Sequence, residues 1–338
     1  MAEGDWGVRD ARGEWQPSEL PKPSPLFRRP WQPLVILKYL FAPEGFFSPF
    51  NLIYAALAVV SWLFFTPSLA RTAHFHVGWI AEVYLRNVVL VTLVAGGLHL
   101  RLYTTEGQGM KFKYNNKRLA KHDSKFLFGS QVWDNVFWNL TSGCLIWTGW
   151  EAVTLWAFSN HIIPYVDFRV HPVYFILIMI AVPFLRVFHF YFIHRLIHWA
   201  PLYKASHYLH HKNINIGPWT GLSMHPLEHL LYFSGVLFHW IIPSHPVHAI
   251  FHLIHAGVSP ALGHAGFHKL VTKEEHGLMN DNFFHYLHHR YFTVNFGSEA
   301  VPLDKWFGSF HDGSAEAHAA MMARRKKARA ATESQPGK

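Results

Sequence analysis

Four apolar runs, each near the roughly 20 residues a helix needs to cross a bilayer, punctuate the first 200 residues at about Pro49–Leu69, Trp79–Leu100, Trp133–Phe158 and Val173–Ile193. The first and fourth are almost uninterrupted, as in Leu52–Val60 and Tyr174–Ala181. The second carries Glu82 and Arg86 near one end, where long side chains are expected to reach the interface. The third contains Asn139, Thr141 and Ser142, so it is expected to face other helices rather than lipid. Two further runs, Leu227–Pro243 and Val247–Leu262, are broken by His, Pro and Gly and joined through Pro243-Ser244-His245-Pro246. They read as a helical hairpin that either re-enters or spans the membrane. The pattern predicts an all-α integral membrane protein with about four transmembrane helices plus that hairpin. Residues 1–33 are polar and do not read as a cleavable signal, so the first apolar run is expected to act as its own insertion signal.

Composition agrees with a membrane setting: half the residues are apolar, 17% are aromatic and only 15% are charged, against roughly 25% charged in soluble domains. The formal charge of +9 does not form a nucleic-acid face. It gathers in the N-terminal segment, in Arg101–Lys125 and in the tail from Arg324 to Arg329. Residues 1–48 hold six Lys/Arg and 101–130 hold seven, whereas 70–78 and 159–172 hold one each, Arg71 and Arg169. This alternation places both termini and the basic loop in the cytoplasm, together with the histidine-rich C-terminal part. The single cysteine, Cys144, excludes an internal disulfide or a cysteine metal site.

Chemistry enters with 27 histidines. Four boxes stand out: His194 and His198; His207, His210 and His211; His264 and His268; His285, His288 and His289. Residues three and four apart share a helix face, so each box offers two or three rings to one centre. Ten imidazoles suffice for two metal ions, and imidazole suits zinc, copper and iron. One HxxxH pair alone is weak evidence, but two HxxHH triplets with two such pairs on one membrane face are hard to reach by chance. His74, His76, His99, His122, His161, His171 and His189 lie in loops, at helix ends or off the box face. The hairpin set His239, His245, His248, His252 and His255 is read as packing, His252 being the one closest to qualifying as a ligand.

The region from about Phe188 to Gly313 resembles the fatty acid hydroxylase/sterol desaturase superfamily of membrane di-iron enzymes. The resemblance rests on Tyr191-Phe192-Ile193-His194-Arg195-Leu196-Ile197-His198, on Leu202-Tyr203-Lys204 before the first HxxHH box, and on His225-Pro226-Leu227-Glu228 after it. It continues through the second HxxHH box, Asn295-Phe296-Gly297 and Leu303-Asp304-Lys305-Trp306-Phe307-Gly308. Only eight residues separate His198 from His207, which favours this branch over the acyl-chain desaturases. The resemblance implies a cytosolic helical cap holding a dimetal site, with the ten box histidines as metal ligands and catalytic residues. It also implies two iron ions (zinc as an alternative occupant), O₂ as co-substrate, a membrane lipid substrate and hydroxylation or desaturation of a C–H bond. No His-Pro-Gly-Gly haem motif is present, so electrons are expected from a separate cytochrome b5- or ferredoxin-like donor. The chain then divides into 1–33, a disordered polar segment; 34–170, three membrane helices and the basic loop; 171–313, the catalytic region; and 314–338, a basic flexible tail.

Neutral imidazoles around two divalent ions leave about four positive charges to offset, and a low-dielectric site penalises them. Glu228, Asp281 and Asp304 are the carboxylates expected to stand behind the ligating rings. Two other classes stay open: a zinc-dependent membrane hydrolase and a metal-binding transporter without redox chemistry. The first lacks the His-Glu-x-x-His signature, since Arg195 stands at the glutamate position. The second places its ligands inside spans, whereas these boxes lie at helix ends. The choice among sterol, fatty acyl, sphingoid, ether-lipid and aminolipid substrates is open. The Ala/Arg-rich tail leans toward a bacterial inner membrane, with endoplasmic reticulum as the eukaryotic equivalent.

Overall fold

A computed structural model describes residues 6–22, 24–273, 276–280 and 282–333. Helices dominate; among the described residues the two antiparallel strand pairs are Gly7–Arg9 with Trp15–Pro17, and Lys269–Lys273 with His276–Met279. Among the described residues two helices, Val77–Thr104 and Pro172–Ile197, are long and apolar enough to cross a membrane. Their mean hydropathies are 1.6 and 2.1, yet only 28% and 22% of their apolar stretches are buried. A soluble core helix would be covered. These instead turn Leu85, Val89 and Leu93, and Val173, Ile176, Leu177 and Phe188, outward, a surface that lipid rather than water accommodates. The chain is a membrane protein.

The other two expected spans look different. Phe50–Phe64 has 15 residues, about 22 Å of helix, short of the roughly 30 Å hydrocarbon core. Residues 131–159 run as one helix through Gln131–Trp138, a π turn at Asn139–Gly143, and Cys144–Ser159. Asp134, Asn135, Asn139 and Glu151 are buried along it. Its polar residues do turn inward at Asn139, which donates to the Trp219 carbonyl at 2.7 Å. Thr141 is half-buried and bonds its own preceding turn.

Arg86 corrects the expectation that it reaches the interface. It is buried against Glu151 at 2.5 Å, with Thr66 and Asn87 as further acceptors. A carboxylate on the neighbouring helix neutralises it at its own depth, so it need not reach water. Glu82 behaves as expected, staying exposed in a pair with Arg71.

The first arm of the expected hairpin breaks into Pro226–Phe233, a 3₁₀ turn at Ser234–Leu237 and the single turn Phe238–Ile241. Its second arm is the core of the molecule. In Pro246–Gly263, fifteen of 18 residues are buried, and the helix packs against Phe50–Phe64, Cys144–Ser159, Pro172–Ile197 and the turn Pro218–Leu222. Gly257 makes this possible, because a Cβ there would run into the Trp147 indole.

Both ends carry structure that the polar composition hid. In the segment expected to be disordered, Trp15 is fully buried, 5.8 Å from the Phe112 ring and 4.8 Å from the His268 ring. One large aromatic side chain gives a polar strap an anchor. In the tail expected to be flexible, Ala315–Glu333 is helical, and Arg324 donates back to the Gly308 carbonyl.

Candidate metal centre

His194 and His198 leave the end of the long helix Pro172–Ile197. The next helical stretch, 200–211, contains a π turn at Tyr203–His207, followed by Tyr208–His211. His264 caps the core helix, and Phe283–Tyr291 carries the last box. These four segments bring nine of the ten box histidines into two groups: His194, His198, His207, His211 and His288; and His210, His264, His285 and His289. Within each group, one ligand atom per residue lies within 4.8 Å of all the others.

The two HxxHH boxes are used crosswise. His207 and His211 serve the first group while His210 serves the second; His285 and His289 serve the second while His288 serves the first. The i, i+4 pair of each helix therefore turns to one centre and its middle histidine to the other. His268, the tenth, lies outside both groups. Gly266 takes a left-handed φ of 81° between it and His264, and the chain then carries His268 to the Tyr114 hydroxyl, 3.1 Å from Nδ1.

The tautomers are set from outside. Nδ1 of His194 faces the Phe296 carbonyl at 2.6 Å, that of His288 the Val294 carbonyl at 2.6 Å, and that of His264 the Pro260 carbonyl at 2.8 Å. His289 meets the Asn213 carbonyl at 3.2 Å, His210 the Ser223 carbonyl at 3.4 Å, and His207 the Glu228 carboxylate at 2.7 Å. Carbonyls only accept, so in the five rings that meet one Nδ1 carries the proton and Nε2 a lone pair, and an ionised Glu228 would set His207 the same way. The Nε2 atoms then face each other: His207 to His198 at 3.0 Å, His288 to His211 at 3.0 Å, His285 to His264 at 2.9 Å and His264 to His289 at 3.1 Å.

Burial, and behind it the neighbouring rings, pushes the imidazoles of His207, His211, His285 and His289 well below their usual range. Burial holds His198 at about 2 and His264 at about 4. Neutral rings with their lone pairs turned together repel unless a cation sits between them. The donor set therefore fits a pair of metal ions, and binding would displace few protons.

The carboxylates differ in rank. Glu228 is buried, holds His207 through Oε1, and leaves Oε2 without a hydrogen-bond partner. Burial pushes its carboxyl well above the usual range; bound cations would act the other way. Asp304 touches no ligating ring. It accepts from the Phe296 and Gly297 amides at 2.8 and 2.7 Å and from Ser309 at 2.6 Å, fixing the loop whose carbonyl orients His194. Asn295 adopts a left-handed φ of 56° in that loop and ties it to Phe284 and His311. Asp281 lies outside the described residues. The backbone acceptors at Asn213, Ser223, Val294 and Phe296 escaped the sequence because any residue supplies a carbonyl.

A cavity of about 440 Å³ borders the second group and part of the first. His194, His207, His210, His264 and His285 line it beside Phe50, Tyr54, Val187 and Phe190. Arg186 and Glu228 are among its polar residues.

Residues 175–309 match the family model described as Fatty acid hydroxylase. The chain is 28% identical over 123 residues to the Delta(7)-sterol 5(6)-desaturase of Candida glabrata, covering 36% of this chain and 32% of that one. It is 33% identical over 125 residues to a Delta(7)-sterol 5(6)-desaturase of Gibberella zeae, covering 35% and 37%. A Nicotiana tabacum Delta(7)-sterol-C5(6)-desaturase is 29% identical over 115 residues, covering 33% and 41%. The matches span between about a third and two fifths of these relatives. They are fungal and plant proteins and lend nothing to the expectation of a bacterial membrane. No solved structure matches significantly.

Proposed function

The chain belongs to the fatty acid hydroxylase/sterol desaturase superfamily, and from that premise we propose that it is a membrane oxidoreductase with one iron in each histidine group. It uses O₂ and electrons from a separate donor to hydroxylate or desaturate a C–H bond of a membrane lipid; the sterol desaturation named for the relatives is one reaction of this class. One observation carries the reading: nine imidazoles share two centres, six of them with Nδ1 held by an outer acceptor and Nε2 turned inward, beside an apolar cavity. His268 is the only box histidine left out of this ligand set, and we assign it to packing against Tyr114 and Trp15.

When bound, iron supplies the reduction of O₂ and the oxidation of the C–H bond. The protein's own residues do the rest. Glu228 and the backbone carbonyls hold the rings in one tautomer. Phe50, Tyr54, Val187 and Phe190 exclude water from the substrate's apolar part. Glu228 Oε2, unpartnered on the cavity wall, is the group placed to give or take a proton there. The basic loop 101–130 and the residues from Arg324 to Arg329 favour a cytoplasmic position for the histidine end.

The test is the metal content of detergent-purified protein, with His207→Ala and His288→Ala alongside. About two irons per chain in the wild type, with loss in both variants, is the expected result. One zinc per chain that survives both substitutions would refute the oxygenase reading and favour the hydrolase.

A further inference from the structure

Four arginines lie in the two long apolar helices; Arg101 and Arg195 sit in the last turns, whereas Arg86 and Arg186 lie deeper and are treated differently. Arg86 is neutralised by Glu151. Arg186, one turn after the bend-prone Pro183 in the long span, makes no ion pair with any described residue. Its described partners are the Tyr232 hydroxyl, the face of Phe190 at 4.7 Å and the face of Tyr232 at 5.3 Å. A guanidinium has five N–H donors, and the Tyr232 hydroxyl accounts for one. The half-buried side chain lines the 440 Å³ cavity. Glu44, Glu228 and Glu299 line it too, yet none comes within ion-pair distance of Arg186.

The surroundings sharpen the demand for an anion. The facing titratable groups from the packed elements are His189, His194, His255, His264, Tyr54 and Tyr232, none of them an anion. An ionisable residue at membrane depth without a counter-charge is strongly penalised and by default marks a functional site. Aromatic faces compensate a guanidinium only in part, whereas its planar fork matches a carboxylate or phosphate in bidentate fashion.

We propose that Arg186 selects the substrate by charge: the cavity takes an amphiphile whose polar end carries an oxyanion, a carboxylate or phosphate, paired with this guanidinium. The inference rests on the reading of this cavity as the substrate site. Tyr232, at the turn after Glu228, acts as the positioning residue that holds the guanidinium toward the cavity. A neutral sterol hydroxyl would leave the charge uncompensated, so substrates of that kind are disfavoured.

The experiment is equilibrium binding to the full-length protein in dodecyl maltoside, with metal content measured on every preparation. The probes are oleate, 1-oleoyl lysophosphatidate, oleyl alcohol and inorganic phosphate alone. The wild type is expected to bind one or both anionic amphiphiles about tenfold or more tighter than oleyl alcohol. Arg186→Gln should erase that preference while leaving oleyl alcohol binding unchanged, and Arg186→Lys should keep part of it. Oleate against lysophosphatidate tells carboxylate from phosphate, and competition by inorganic phosphate would point to the phosphate arm. Equal binding of all three amphiphiles by the wild type overturns the proposal without needing any variant to fold, and so does an anion preference that survives Arg186→Gln. An Arg186-dependent preference in a protein without iron would sustain this inference and sink the di-iron reading; two irons with no anion preference would do the reverse.

Discussion

Histidines crowd two parts of this bundle. In the metal centre, Nδ1 of six rings is pinned to an acceptor from the backbone or from Glu228, and the Nε2 atoms converge. Along the hairpin the rings also lie buried, but each is met by a partner of its own. His239 bonds Ser244 at 2.9 Å, His248 the Phe175 carbonyl at 3.0 Å and His255 Asn51 at 2.7 Å. His252 meets His239 at 3.3 Å, and among the described residues the pair belongs to no group of three or more converging ligand atoms. What equips a histidine to be a ligand here is the direction in which its ring is held, since abundance and burial are common to both sets.

The strongest way to break this contrast is to remove a converging ring. His288→Ala is expected to lose iron from the first group and, with it, activity by several orders of magnitude; elemental analysis and O₂ uptake check it. Weakening the outer anchor should act less. Glu228→Gln is expected to lower metal affinity about 10- to 100-fold, read by competition with a chelator. If Glu228→Gln retained wild-type affinity, the orienting role given to His207's partner would be wrong.

Acid offers a third test, on chelated protein. Rings outside the spans, such as His264 and His268, are held by burial at about 4, whereas an unfolded histidine titrates near 6.5. Between those values the unfolded chain binds more protons, so stability falls as pH drops from about 6.5 toward 4. The slope is about 1.4 kcal/mol per pH unit for each ring so held. Thermal melts across that range should show it, and a flat Tm would mean the rings protonate in the fold. The smallest effect is expected in the hairpin: His252→Gln should cost about 0.5–1.5 kcal/mol and leave both irons in place. Loss of iron in that variant would merge the two populations that the structure separates.

Much of this was legible beforehand, for reasons that can be named. The boxes were visible because i, i+4 spacing is a local property of a helix, and the two long spans because apolar length is written in composition. The crosswise sharing of the HxxHH boxes was not, since it depends on a π turn at Tyr203–His207 and on how two helices face each other. His268 satisfied the same spacing as His264 but follows a left-handed Gly266, so the helical rule did not apply. Arg86 was read from its own position, while its environment is set by Glu151, 65 residues away. Trp15 shows the same limit, because a tertiary anchor leaves no trace in a polar segment's average.

The strap closed by Trp15 has a bearing on biosynthesis. Its anchors include Tyr114 and His268, and the adjoining Arg290 pairs with Glu14. The strap therefore finds its resting place only after residues as far on as His268 and Arg290 have been made. A nascent chain ending before Phe283 holds His194, His198, His207 and His211 of one group, but only His210 and His264 of the other. Both histidine groups are thus complete only once the segment through His289 has been made, and the strap docks on that same segment.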